Sequence, residues 1–447
     1  MTQLYDLIAI GTGSAANSVV TRCAEAGWKI AVIDEREFGG TCALRGCDPK
    51  KVLAGAAELI DWNERMLGKG VQGKTIMNWP ELMDFKRTFT MRIPRATEDK
   101  FKQAGMDTFH GKASFVDEDH VRVGDEVLHG KHILIATGAQ PAPLSIEGAE
   151  HLLFSDDFLE LEQLPDQLVL VGGGYIAFEF AHIAARAGSE VHIIHRGERP
   201  LEQFDQELVD LLVQKSEEIG IHVHLNAEVK SIRKQGETYM VSGTRNGADH
   251  QWHGGLVVHG AGRIPSIDGL ELEKGNVHYS EKGITVNGYL QSTSNPKVYA
   301  AGDVAATKGL PLTPLAGQES RAVAFNLLKG NHSKPNYKVM PSIVFTVPSL
   351  GSVGLSVDQA EEEGYEVKVN DLSQWYTYKR TNEKYAMAKV VIDNDSGRIL
   401  GAHVLGSESE ELINLFAMAI QFELTTDQLS SMNFAYPTAA SDLGSLI

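Results

Sequence analysis

The sequence predicts an α/β fold with two Rossmann-like nucleotide-binding domains and a C-terminal α+β domain. Three observations carry this. Short β-branched runs at 7–10, 30–33, 168–171 and 191–194 alternate with helical patterns, the signature of parallel sheets covered by helices. A strand, a glycine cluster and a helix occur at 5–27 and recur at 167–188. Beyond about Pro341, β-rich stretches at 342–347, 388–392 and 399–405 surround or precede a helical pattern at 410–422. Asn331-His332-Ser333-Lys334-Pro335 reads as the linker before that last domain.

At 447 residues the chain exceeds the roughly 250–300 residues at which single cores stop growing. With 41 Lys+Arg against 59 Asp+Glu, the net charge is −18. Such a surface repels phosphate backbones, which argues against nucleic acid as a partner, while a local basic pocket could still take a small anion. Three cysteines exclude a secreted disulfide scaffold and suggest a reducing compartment. The chain enters the strand-like Tyr5-Asp6-Leu7-Ile8-Ala9-Ile10 without a basic leader, and no apolar run approaches membrane-spanning length. A cytoplasmic protein with no membrane partner is expected, and no metal site.

The first glycine cluster, Gly11-Thr12-Gly13-Ser14-Ala15-Ala16, fits G-x-G-x-x-A between a strand and a helix. Gly11 makes the tight turn, Gly13 lets backbone approach a pyrophosphate, and Ala16 keeps helix and strand close. The pyrophosphate would sit on the exposed N–H groups of the helix start. Gly172-Gly173-Gly174-Tyr175-Ile176-Ala177 repeats the pattern, with Gly172, Gly174 and Ala177 in the same roles. Twenty-three residues after Gly11 comes Asp34; twenty-three after Gly172 comes His195, followed by Arg196. This strand-end position faces the adenosine ribose. An acid there accepts from ribose hydroxyls, and a cation pairs with a 2′-phosphate. The first site therefore reads as binding an unphosphorylated ribose, and the second as preferring NADP(H) over NAD(H), with Arg199 close by.

Cys42 and Cys47 lie in Gly39-Gly40-Thr41-Cys42-Ala43-Leu44-Arg45-Gly46-Cys47-Asp48-Pro49-Lys50-Lys51. A disulfide needs Cα atoms about 4.4–6.8 Å apart, whereas five residues of regular helix advance about 7.5 Å. If these two bond, the turn must be irregular; Gly46 and Pro49 supply the means. A helix start and Lys50 and Lys51 would favour thiolate. Cys23, on the helix after Gly13, reads as core filler.

These residues resemble the active-site signature of the class I pyridine nucleotide–disulfide oxidoreductases, the family of glutathione reductase, dihydrolipoyl dehydrogenase and mercuric reductase. Ala136-Thr137-Gly138, Gly262-Arg263-Ile264-Pro265 and Tyr299-Ala300-Ala301-Gly302-Asp303 resemble later segments of that family, Pro341 to Thr346 its dimerisation-domain opening, and Tyr436-Pro437-Thr438 its terminal motif. The resemblance spans essentially the whole chain.

It implies a homodimeric FAD enzyme that uses NADPH, with NADH the lesser fit. Residues 1–145 would begin the FAD domain, 146–270 bind the nicotinamide nucleotide, 271–335 complete the FAD region and 336–447 form the interface. Asp34 would hold the FAD ribose and Asp303 the ribityl chain. Ser14, Thr41, Ala113, Thr137, Gly138, Gly302 and Arg263 would contribute to the nucleotide sites. Cys47 would be the thiol beside the flavin and Cys42 the thiol that exchanges with substrate. Lys50 would lie near the flavin ring and pair with a buried Glu179. Tyr175 would cover the nicotinamide pocket. The C-terminal segment would complete the partner's site.

Where the family has His-Pro-Thr followed by Glu, this chain has Tyr436 and Ser441, and its last histidine is His403. No cysteine follows Cys47, so the C-terminal pair of mercuric reductases is absent, and Thr21 stands where glutathione reductases carry an arginine. The expected function is NADPH-dependent reduction of an oxidised acceptor, first a small-molecule or small-protein disulfide. The alternatives are a metal ion or quinone as acceptor, a dihydrolipoyl-dehydrogenase-like subunit of a larger complex, and a redox sensor with little turnover.

Overall fold

The computed structural model describes residues 3–447, which fall into two compact units. The first comprises residues up to 49, 86–142 and 263–337; the second comprises 50–85, 143–262 and 338–447.

The first unit is built on a sheet of β1 (Leu4–Ile10), β2 (Ile30–Asp34), β3 (Asp107–His110), β4 (Ala113–Phe115), β5 (His120–Val123) and β6 (Glu126–Ile135), in the order β3-β2-β1-β6-β5-β4. The strand Val298–Ala300 also pairs with β6, in parallel. β1 is fully buried from Leu7 to Ile10, as a parallel strand covered on both faces must be. Helix α1 (Ser14–Glu25) turns Val19, Val20 and Cys23 into one core with Leu7, Ala9 and Val323. The opposite sheet face packs Ile8, Ile10 and Ile33 with Phe115 and Val298. Cys23 is wholly buried, and that burial pushes its thiol up to about 12, so it is core filler.

The same chain segment holds α2 (Gly40–Arg45) and α3 (Cys47–Met66), separated by Gly46 alone.

The second unit contains a parallel sheet of β7 (Gln167–Val171), β8 (Glu190–Ile194), β9 (Ile221–His224) and β10 (Leu256–His259), ordered β9-β8-β7-β10. Helix α4 (Tyr175–Arg186) follows β7. The C-terminal part is an antiparallel sheet of β11 (Ser342–Val344), β12 (Leu350–Gly354), β13 (Glu366–Asp371), β14 (Met387–Ile392) and β15 (Ile399–Leu405), ordered β11-β12-β15-β14-β13. Helix α5 (Ser409–Gln421) buries Leu412, Ile413 and Phe416 in a core with Val353 and Val404. The α/β class with two glycine-turn nucleotide folds and a C-terminal α+β domain is therefore the observed one.

One strand differs from expectation. The β-rich run at 342–347 is a ladder only through Val344. Beyond it the backbone donors go to side chains of α4: Phe345 N–H to Glu179 Oε1 at 2.9 Å, and Val347 N–H to His182 Nδ1 at 3.1 Å. Buried N–H groups need partners, and here charged and polar side chains replace the neighbouring strand. Among the described residues, no helix is long and apolar enough to cross a membrane.

Candidate active site

The first glycine turn is forced by space. Gly11 has φ of 106°, and a Cβ there would stand 2.3 Å from the carbonyl oxygen of Ala136. Gly13 caps α1 without a side-chain hydrogen bond, and the first turn carries no acid. Its N–H groups and positive dipole end are thus left for an anion. Gly40 approaches so closely that its own Cβ would lie 2.4 Å from Gly13 Cα. Ser14 is half-buried, Ala16 buried and Thr41 exposed.

Asp34 ends β2 with its carboxylate fixed. Thr12 Oγ1 donates to Oδ2 at 2.6 Å, and Arg36 N–H donates to Oδ1 at 3.0 Å. Thr12 Oγ1 in turn accepts the Gly39 N–H at 3.0 Å, tying the acid to the cysteine-bearing turn. Across the same unit, burial raises the carboxyl pKa of Asp303 while the Arg263 guanidinium opposes it. Gly302 N–H donates to Glu319 Oε2 at 2.6 Å, and Glu319 Oε1 accepts from Thr307 at 3.1 Å and from Tyr337 at 2.5 Å. Thr137 Oγ1 donates to Ser266 O at 2.6 Å, and Arg263 donates to Ala139 O. Ala113 is buried at the start of β4.

Gly46, at φ −142° and ψ −117°, interrupts the helical path between Cys42 and Cys47. A Cβ on it would stand 2.9 Å from the Thr41 carbonyl oxygen. The two cysteines are present as a dithiol in mutual hydrogen-bond contact. That contact, and then burial, raise the pKa of Cys42, with a Thr313 hydrogen bond opposing. Cys47 Sγ lies 3.6 Å from Thr313 Oγ1, where the helix Thr313–Lys329 begins without acids in its first turn. Thr12, Thr313 and Glu319 touch the candidate residues Asp34, Cys47 and Gly302, and the sequence did not single them out. A Thr-Pro pair such as 313–314 signals a helix start but says nothing about a distant cysteine.

In the second unit, a Cβ on Gly172 (φ 121°) would stand 2.2 Å from Gly260 O, and Ala177 is fully buried against that segment. Gly174 caps α4 with no side-chain hydrogen bond and no acid in the first turn, which repeats the anion-ready helix start. Tyr175, its first residue, is 47% exposed. The His195 ring lies over Gly173, where a Cβ would sit 2.5 Å from Cγ, and Nε2–H donates to Arg199 O at 2.9 Å. Arg196 and Arg199 are exposed.

Lys50 pairs with Glu179 at 2.8 Å, and Glu179 is 1% exposed. Glu179 Oε1 takes both the ammonium and the Phe345 N–H, while Oε2 is buried without a partner. Lys50 also stands 4.8 Å from the Phe345 ring centroid. Tyr436 is 78% exposed, and Ser441 hydrogen-bonds to Thr438 within the last helical turns.

The residue set fits FAD on chemical grounds: an uncapped helix start floored by glycine backbone, a fixed carboxylate at the adjoining strand end, and a second buried carboxylate. Comparison with known proteins agrees. The family described as pyridine nucleotide-disulphide oxidoreductase matches residues 5–320, and its dimerisation domain matches 340–446. A mercuric reductase of Staphylococcus aureus is 31% identical over 446 residues, covering 98% of this chain and 81% of that protein. A glutathione reductase of Burkholderia cepacia is 32% identical over 446 residues, covering 99% and 98%. The copper(II) complex of the HOCl-induced flavoprotein disulfide reductase RclA from Escherichia coli superposes with a TM-score of 0.89 at 27% identity, covering 100% of this chain and 99% of that one. The chain belongs to the class I pyridine nucleotide-disulfide oxidoreductases and is a flavin-dependent enzyme of that family.

Proposed function

We propose that the chain holds FAD on its first glycine turn, takes reducing equivalents from NADPH at the second, and reduces a disulfide by thiol exchange at Cys42. The observation that carries this is the dithiol: Gly46 brings Cys42 and Cys47 into contact while Thr313 touches Cys47. FAD held there would supply the electron relay between the nicotinamide nucleotide and the Cys42–Cys47 disulfide. The remaining steps belong to the protein. The Cys42 thiolate attacks a substrate sulfur and forms a mixed disulfide, and the departing sulfur takes a proton. Cys47 then attacks Cys42 Sγ, releases the second substrate thiol and leaves the Cys42–Cys47 disulfide. One disulfide is reduced to two thiols as the enzyme dithiol is oxidised. Asp34 and the helix starts hold the nucleotides, and the Lys50–Glu179 pair keeps a cation in a dry site.

The choice of NADPH rests on His195, Arg196 and Arg199 at the offset that carries Asp34 in the first fold. Arg196→Glu is expected to raise KM for NADPH about 10- to 150-fold more than for NADH, the worth of one charge-assisted contact of roughly 1.5–3 kcal/mol. Equal wild-type kcat/KM for the two nucleotides would reject the preference.

Tyr436 stands at the family's histidine position, where a hydroxyl donates a hydrogen bond but shuttles protons poorly near neutrality. With the Cys42 thiol also raised, oxidised glutathione should turn over slowly, by roughly the 10²–10⁴-fold that acid–base assistance contributes. Reduction of the internal disulfide by NADPH should stay fast, and reoxidation by substrate should accelerate as pH rises and Cys42 ionises. Stopped-flow measurement separates the two half-reactions; rapid, pH-independent reoxidation by glutathione disulfide would defeat the proposal. The same tyrosine favours a second reading, in which the acceptor is a metal ion or quinone that needs no protonated leaving thiol.

A further inference from the structure

We propose that Asp119, His120 and His129 form a surface site for one borderline divalent metal ion, such as Zn(II), Ni(II) or Cu(II), apart from the cysteine pair. The sequence reading expects no metal site, because the ligands meet only through strand register. β5 and β6 run antiparallel with His120 directly opposite His129, so both imidazoles leave the same sheet face. Their rings stack at 4.4 Å between centroids and 15° between planes. Asp119 stands beside both: Oδ1 is 2.8 Å from His120 Nδ1, and Oδ2 is 3.6 Å from His129 Nε2. Asp117 Oδ1 is a further oxygen 2.8 Å from His120 Nδ1. Donors held about 2.0–2.2 Å from one ion lie roughly 2.9–3.6 Å from each other, so these spacings suit a common centre after small side-chain shifts.

One ligand atom from each of the three residues lies within 4.8 Å of the others, and no other such trio occurs among the described residues. The backbone under the site is held in place. Asp117 Oδ1 accepts the N–H groups of Asp119 and His120, Asp119 O accepts from Gly130, and Glu118 O accepts from Asn295. Little ordering remains for a metal to impose. Two imidazoles with carboxylate suit Zn(II), Ni(II) or Cu(II) better than Ca(II) or Mg(II), which take oxygen alone. The side chains of His120, Asp119 and His129 are 27%, 22% and 36% exposed, so an ion reaches them from solvent.

Lys297 is the competitor. Its ammonium pairs with Asp119 Oδ2, and an incoming ion must displace it. The lysine side chain is 43% exposed on a flexible stem, so it can turn to solvent for the small cost of losing a surface pair.

The test is calorimetric titration of the FAD-loaded protein with ZnCl₂, with Cys42 and Cys47 both changed to serine so that no thiolate competes. One saturable equivalent per chain is expected. His120→Gln and His129→Gln should each weaken it by at least about 10- to 100-fold, the range already seen for loss of outer-shell partners. Lys297→Gln should tighten it. Electron paramagnetic resonance of the Cu(II)-loaded protein should show coupling to two imidazole nitrogens, reduced to one in His129→Gln. Unchanged metal-free melting temperatures would establish that the variants fold. Absence of saturable binding at micromolar zinc, or affinity retained in both histidine variants, would overturn the site.

Discussion

Cys42→Ser and Cys47→Ser should each lower acceptor turnover by roughly four orders of magnitude or more, the scale of removing a covalent nucleophile. They should nevertheless leave different proteins. Cys47 adjoins the Thr313 hydroxyl at an acid-free helix start, where both a hydrogen bond and the helix dipole favour negative sulfur. Cys42 is the less exposed of the two, and its hydrogen bond with Cys47 and then burial hold its thiol up. The FAD-loaded Cys42→Ser protein should therefore show long-wavelength thiolate-to-flavin absorption without any reductant. Cys47→Ser should lack it under all conditions, while the wild type should gain it on two-electron reduction. Absorption spectra of the three proteins, with and without NADPH, make the comparison. Identical spectra from the two single variants would mean that the assignment of the two thiols is wrong.

The inequivalence of the thiols separates what was legible in the sequence from what was not. Glycine positions were legible because sterics leave little choice. Gly11 and Gly172 each meet a carbonyl oxygen where a Cβ would be, at 2.3 and 2.2 Å. The break between Cys42 and Cys47 was legible for the same reason, since only an irregular turn brings sulfurs together across five residues. Helix 410–422 was anticipated to within a residue of α5, because its apolar periodicity is strong. Thr313 was not legible: it lies 266 residues from Cys47, and a lone threonine carries no pattern. Nor was the end of β11, since alternation in 342–347 says nothing about which acceptor each N–H finds. The pairing of His120 with His129 needed the register of two strands.

The largest stability effect is expected at Asp61, a residue that no sequence pattern singles out. Its side chain is 2% exposed in the second unit and meets three cations: Arg186 at 2.8 Å, Lys215 at 3.3 Å and Arg65 at 2.7 Å. Burial alone would raise its pKa, but these charges outweigh burial and leave it at about 2. Arg186 also donates to Val347 O at 2.8 Å, so the acid anchors the backbone that follows β11. Asp61→Asn keeps the shape and removes the charge, leaving three largely buried cations, with Glu383 beside Arg65 itself raised by burial. Such loss of one partner costs about 3–5 kcal/mol. The sign of the pH dependence follows from the depressed value. Asp61 stabilises the fold above its ordinary pKa near 3.8, and that contribution is lost as pH falls from there through about 2. The loss amounts to roughly 2–3 kcal/mol. Many other carboxyls titrate in the same range, so the informative quantity is the difference between wild type and Asp61→Asn. Urea midpoints at saturating FAD should differ most near neutrality, and the gap should narrow between about pH 4 and pH 2. A gap below about 1 kcal/mol at pH 7, or one that does not change with acid, would mean that the three cations find other partners and that Asp61 does not hold this core together.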